Sequence, residues 1–303
     1  MTRVDELLQG AVDLHTHPFP SGFPRQVSID ELARQYADAG FAAFVAKDHH
    51  HQTASDVLAL ERAGVLPGGI VVHGGVALNG AVGGLNPRAV DIAIQMGARM
   101  VWLPTTGAAN HLEQARAAAA KGGRLNFPTS TRTLMPEEPL SALDAEGRVR
   151  PELRRIIELV AEAGDVILAS GHLAADEVVA TFELAHELGV RRMLVTHPNF
   201  VLGMTHEQGR HLAGLGVVME HSICMYDEAS TFHQWPLDVL VGWIEAIGPE
   251  HTSLGSDLGQ NDNPLPLQSW RTVCGRLLDA GVPESTVRAI AVDTPTRLLN
   301  GAA

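Results

Sequence analysis

Short apolar runs alternate along this chain with longer stretches whose apolar positions recur at helical spacing, which predicts strands and helices in turn. Ala11-Val12 leads into Asp13-Leu14-His15-Thr16-His17, a first strand ended by the loop Pro18-Phe19-Pro20-Ser21-Gly22. Ser28, with Glu31 three residues on, has capping-box spacing and opens a helix that ends near Gly40. Further strands are predicted over 41–47, 69–78, 99–104, 165–170, 192–196, 217–220 and 252–255. Helices follow them over 54–63, 86–96, 108–121, 151–163, 174–188, 205–215, 236–247, 265–280 and 284–299. Residues 122–143 form a loop rich in Pro, Ser and Thr, and Asp144-Ala145-Glu146-Gly147 reads as a tight turn in a small hairpin. This segment is expected to be an insertion over a barrel mouth and not a second domain.

Eight strand–helix units point to an α/β protein, a (β/α)8 TIM barrel with an inserted loop or hairpin after strand four. An open doubly wound sheet is disfavoured because no Gly-rich dinucleotide fingerprint follows the first strand. All of 1–303 is expected to form this one domain, since α/β barrels of roughly 250 residues or more fold as single units.

Composition narrows the picture. Apolar residues make up 45% of the chain and aromatics 5%, so the core must come from Ala, Val, Leu and Ile. A net charge of −13, from 22 basic against 35 acidic residues, argues against nucleic acid and anionic membranes as partners. A small-molecule substrate is expected instead, and a homo-oligomer is compatible with the sequence. Cys224 and Cys274 offer neither a disulfide framework nor a Cys zinc site. No apolar run reaches the roughly 18 residues needed to cross a bilayer, and the start Met1-Thr2-Arg3-Val4 has no apolar signal core, so a cytoplasmic protein is expected.

Candidate chemistry gathers at the C-terminal ends of the predicted strands. In a strand, side chains two apart share a face, so Asp13, His15 and His17 are expected to point to one side. Strand two ends in Lys47-Asp48-His49-His50-His51, strand five in Ser170-Gly171-His172, strand six in Thr196-His197, strand seven in Glu220-His221 and strand eight in Ser256-Asp257. In a parallel barrel these ends meet at the mouth where chemistry is done. Imidazole and carboxylate together suit a divalent metal, Zn2+ first, with Mn2+, Fe2+ or Ni2+ open. Such a metal generates hydroxide at neutral pH, with Asp257 as the shuttle for its proton.

In these features the chain resembles the amidohydrolase superfamily, the metal-dependent hydrolases of the phosphotriesterase, dihydroorotase and TatD kinds. Asp293-Thr294-Pro295-Thr296-Arg297-Leu298-Leu299 is similar to that superfamily's closing segment, so the resemblance spans nearly the whole chain. It implies His15, His17 and Asp257 on a first metal and His172 and His197 on a second. The bridge between the metals departs from the pattern: strand four has Trp102-Leu103-Pro104-Thr105, with no Lys or acid. Lys47 and Glu220 are the substitutes, and one metal or two remain open. Lys47-Asp48-His49 also resembles the PHP phosphoesterases, which would make His49 a ligand.

The leading expectation is a hydrolase of an amide, cyclic amide or lactone, with Asp257 and Lys47 as catalytic residues. A PHP-like phosphoesterase, a metal-dependent decarboxylase or hydratase, and a degenerate metal-binding barrel are the alternatives. Lys47 has three readings: a carboxylated bridge, a cation for a substrate anion, or a partner of Asp48. Asp13 is expected to orient a ligand imidazole. Trp102, Arg132 and His221 are the candidate substrate contacts, Arg132 as a clamp for an anionic group.

Overall fold

Among the described residues the chain forms nine strands, β1 (Val12–Thr16), β2 (Ala43–Ala46), β3 (Val71–His73), β4 (Gly75–Ala77), β5 (Met100–Trp102), β6 (Ile167–Ala169), β7 (Met193–Thr196), β8 (Val218–Ser222) and β9 (Thr252–Gly255). The computed structural model describes residues 2–123, 125 and 135–301. All strand pairs are parallel, β1 to β2 to β3 in one ladder and β4 through β9 in another. β3 and β4 are the two halves of the third expected strand, interrupted at Gly74. A Cβ there would lie 2.5 Å from the Ala54 backbone nitrogen, so the close approach of the helix Ala54–Ala63 requires glycine. Thr53 spans the break, its hydroxyl donating to the Ala46 carbonyl at 2.6 Å and accepting from Gly75 N at 2.9 Å.

Closure comes from β1 against the end of β9. Asp257 N donates to His15 O at 2.7 Å and His17 N to Leu258 O at 2.8 Å, so eight staves complete the ring. Val12, Leu14, Ala43, Val45, Ala77, Met100, Trp102, Ile167, Ala169, Leu194 and Val218 fill it, joined by Leu298 and Leu299 of the closing segment. The helices bury their apolar faces against the outside of the staves, in a separate and larger cluster.

Local chemistry sets the helix ends. Ser28 and Glu31 form the expected capping box, and Asn86 caps the helix Pro87–Gln95. The helix expected over 284–299 instead contains a π turn, Ala289–Asp293, between Glu284–Arg288 and Thr294–Asn300. Pro295 lacks an N–H and its ring crowds the carbonyl four residues back, so the ladder shifts at this point. Of the insertion, Asp144 to Gly147 makes the expected turn, with Leu143 bridged antiparallel to Val149. No helix among the described residues is long and apolar enough to cross a membrane.

Candidate metal centre at the barrel mouth

β1 does not keep strict alternation. Asp13 pairs with Phe44 but Thr16 with Ala46, so one extra residue is accommodated on β1. Leu14 and His15 both reach the interior, and Asp13 faces outward. There it accepts four hydrogen bonds: His15 N at 3.0 Å, Ser256 N at 2.9 Å, Tyr36 Oη at 2.6 Å and Trp270 Nε1 at 2.9 Å. The expectation that Asp13 shares a face with His15 and His17 and orients an imidazole is therefore corrected. Asp13 pins the strand from behind.

Glu220 takes the orienting role. His15 Nδ1 and Glu220 Oε1 are 2.7 Å apart in full burial, which turns His15 Nε2 toward the mouth. Gly255 makes room for this pair, since a Cβ there would stand 2.9 Å from both the Glu220 carboxyl carbon and His15 Cβ. Burial and the charge of Asp257 push the Glu220 carboxyl up, while burial pulls the Lys47 ammonium down. Lys47 Nζ is 3.0 Å from His15 Nε2 and 5.3 Å from the centre of the Trp102 ring.

His17 donates Nδ1–H to the Lys47 carbonyl at 3.2 Å, an acceptor that fixes the tautomer. Burial depresses His15 and His17 to about 3, so both are neutral. The bare Nε2 of His17 then faces Asp257 Oδ1 at 3.0 Å, with His15 Nε2 3.3 Å from the same oxygen. Two acceptors facing at 3.0 Å repel unless a cation lies between them. For Zn–N bonds of about 2.0–2.1 Å in a tetrahedron, ligand atoms lie about 3.3 Å apart. The separations here match that edge, so the residues present fit a divalent ion. His15, His17 and Asp257 form one compact triad of potential ligands, and His15, His197 and Glu220 form another.

His172 and His197 approach each other Nε2 to Nε2 at 3.3 Å, each held from behind. His197 Nδ1 meets Ser222 Oγ at 2.7 Å, and His172 Nδ1 meets His111 Nδ1 at 2.9 Å. Burial keeps both rings well below the ordinary histidine pKa. His49 stacks on His17 with ring centres 4.9 Å apart, and its Nδ1 meets Thr105 Oγ1 at 2.8 Å; neither triad includes it. Asn79 ties this corner together, donating to Thr105 Oγ1 and the His49 carbonyl and accepting from Thr105 N and Gly107 N. His197 and Asp257 both adopt left-handed backbone, φ 38° and 54°. Such strain is kept where it aims a functional side chain.

Between these groups lies a narrow cleft, walled by His17, Lys47, His49, His172, His197, Phe200, Met225, Phe232, Asp257 and Gln260. Its water-sized free space is about 20 Å³, room for roughly one water. Two of the expected substrate contacts do not wall it. His221 alternates outward from Glu220 and packs on Trp243 with ring centres 5.5 Å apart. Trp102 is fully buried in the filling of the barrel. Arg132 lies outside the described residues. Arg25, Asn79, Ser222 and Gln260 were not marked by sequence; all are ordinary polar residues in loops or strand ends, and only tertiary placement distinguishes them.

The chain shares its fold, a barrel closed by parallel strands, with solved metal-dependent hydrolases, and the buried His/Asp/Glu cluster at its mouth is consistent with a divalent metal. The chain belongs to a family of unknown function, DUF6282, which matches residues 10–220. No curated protein matches the chain by sequence. A dipeptidase, a metallopeptidase of family M19, superposes with a TM-score of 0.60 at 13% identity, covering 96% of this chain and 98% of its own. An amidohydrolase from Burkholderia multivorans gives 0.59 at 14% identity, with 95% and 98% covered. A 2,6-dihydroxybenzoate decarboxylase gives 0.55 at 12% identity, with 96% and 99% covered. At these identities the likeness is one of fold, and a fold that spans such activities does not choose among them.

Proposed function

We propose that this protein is a metal-dependent hydrolase of a small molecule, acting on an amide, a cyclic amide or a lactone. The convergence of His15 Nε2 and His17 Nε2 on Asp257 Oδ1, at 3.3 and 3.0 Å, is the observation that carries this reading. A divalent ion, Zn2+ first, held by His15, His17 and Asp257 with His172 and His197 available to a second, would lower the pKa of bound water toward about 7 and polarise the carbonyl under attack.

The chain's own groups do the rest. Asp257 directs Oδ1 at the imidazole pair, and its side chain keeps 15% exposure to the cleft. It accepts the proton of the attacking water and passes it to the leaving nitrogen or oxygen. Glu220 holds the tautomer of His15, and Ser222 and His111 orient His197 and His172 from behind. An ammonium 3.0 Å from His15 Nε2 would repel a cation shared by that nitrogen. Lys47 therefore acts as a neutral amine or as a carbamate, formed when its nitrogen bonds the carbon of CO2 and releases a proton. The carbamate would supply the bridging carboxylate missing from the Trp102 to Thr105 segment.

Hydrolysis of at least one member of a panel of N-acyl amides, cyclic amides and lactones is expected from the metal-loaded protein. Chelation should abolish that rate and added Zn2+ restore it. A rate that survives exhaustive chelation would overturn the metal dependence. Hydrolysis of aryl phosphates, with none of the panel, would move the chemistry to phosphoesters.

A further inference from the structure

Arg25 sits on the loop between β1 and the helix Ile29–Asp38, and its side chain is completely covered, 0% exposed. None of its three guanidinium nitrogens has a hydrogen-bond partner among the described residues. Asp48 Oδ2 stands 3.9 Å from Nη2, beyond hydrogen-bond reach, and is itself unpartnered. The other oxygen of Asp48 is engaged by His50 N at 2.8 Å and His51 Nδ1 at 3.1 Å. His51 is held between Asp48 and Asp56, which raise it to about 10, so Asp48 has a cationic partner without Arg25. A buried fork of five N–H donors with no acceptor in hydrogen-bond reach is costly and calls for an explanation, and an acceptor that arrives with a ligand supplies one.

The position of the fork says what it serves. Its carbon lies 5.6 Å from the centre of the Phe23 ring, which supports the guanidinium plane. The Arg25 backbone bridges antiparallel to Gln260, and Gln26 N donates to Gly259 O at 2.9 Å, so the loop is fastened to the segment after β9. Gln260 walls the cleft and has its own unpartnered amide oxygen. The charge of Arg25 is felt by His17, His49 and Lys47, the groups on this side of the mouth.

We propose that Arg25 is the anion-recognition residue of this site, and that the substrate carries an oxyanion group, a carboxylate or a phosphate, which the guanidinium grips while the scissile bond faces Asp257. The identity of the anion as part of a substrate rests on the hydrolase reading; capture of the anion does not. A planar fork selects oxyanions through paired hydrogen bonds, and a lysine would hold them only as a point charge.

Calorimetric titration with succinate and with inorganic phosphate, on metal-loaded and on chelator-treated protein, tests this. The wild type is expected to bind at least one of the two saturably in both forms, and the preferred probe identifies the group. Arg25→Gln should weaken that binding by about tenfold or more, and Arg25→Lys should recover part of it. Should Arg25→Gln fail to fold, Arg25→Lys keeps the charge beside Asp48 and removes the fork: weaker anion binding with unchanged melting supports the assignment. Absence of saturable binding in the wild type, or equal affinity in Arg25→Lys and wild type, would overturn it. The two readings separate cleanly. Arg25-dependent anion binding without turnover of any amide or lactone defeats the hydrolase alone. Efficient turnover of neutral substrates, with kcat/KM unchanged in Arg25→Gln, defeats the anion subsite alone.

Discussion

Asp257→Asn is expected to lower kcat by about 10²–10⁴-fold at saturating metal while the melting temperature stays near that of the wild type. The carboxylate faces two neutral imidazoles with one oxygen and keeps access to the cleft, which suits it to take and release a proton. An amide of the same shape has no basic oxygen for that task. The fold should tolerate the change, because Asn is among the few residues at ease in left-handed backbone such as φ 54°. The hydrogen bond from the residue 257 amide to His15 O is also unaffected. A variant turning over within a factor of a few of the wild type would remove Asp257 from the mechanism. Saturating metal is essential to the comparison, since in the proposed centre the substitution would also remove one negative ligand.

The second large effect is on stability. Asp13→Ala is expected to cost about 4 kcal/mol or more, a fall of roughly 10 °C in melting temperature for a domain of this size. One buried carboxylate satisfies donors from β1 itself, from the helix Ile29–Asp38, from the helix Pro266–Asp279 and from the residue after β9. Its removal leaves four buried donors without their acceptor at the seam where the barrel closes. Asp13→Asn should rescue little, because its amide nitrogen would oppose some of the same donors. Deletion of an exposed carboxylate, as in Asp279→Ala, should change stability by no more than about 0.5 kcal/mol. A small effect of Asp13→Ala would show that β1 is held by the ladder alone.

Much of the barrel was legible because its signals are local. Apolar periodicity located Ala54–Ala63, Pro151–Ala163 and Thr252–Gly255 at their observed bounds, and side-chain caps such as Ser28 fixed helix starts. The convergence of His15, His17, His172, His197 and Asp257 was legible too, because a parallel barrel brings every strand end to one rim. What escaped was set by contacts between distant segments. The extra residue in β1 turns Asp13 away from the histidines, and simple alternation gives no sign of it. β8 runs on to Ser222, which brings Ser222 behind His197 and leaves His221 among the helices. Gly74 reads as half of a Gly-Gly pair in an apolar run until the start of a helix presses on it. Arg25, in a loop studded with Gly and Pro, is distinguished only by its burial without an acceptor.

The barrel mouth as a metal centre is tested most directly by metal per chain, measured on protein purified without added metal or chelator and reloaded with Zn2+. The wild type is expected to retain metal through desalting, and the double variant His15→Ala/His17→Ala to retain essentially none while remaining folded. Full retention by the double variant, or no retained metal in the reloaded wild type, would contradict it.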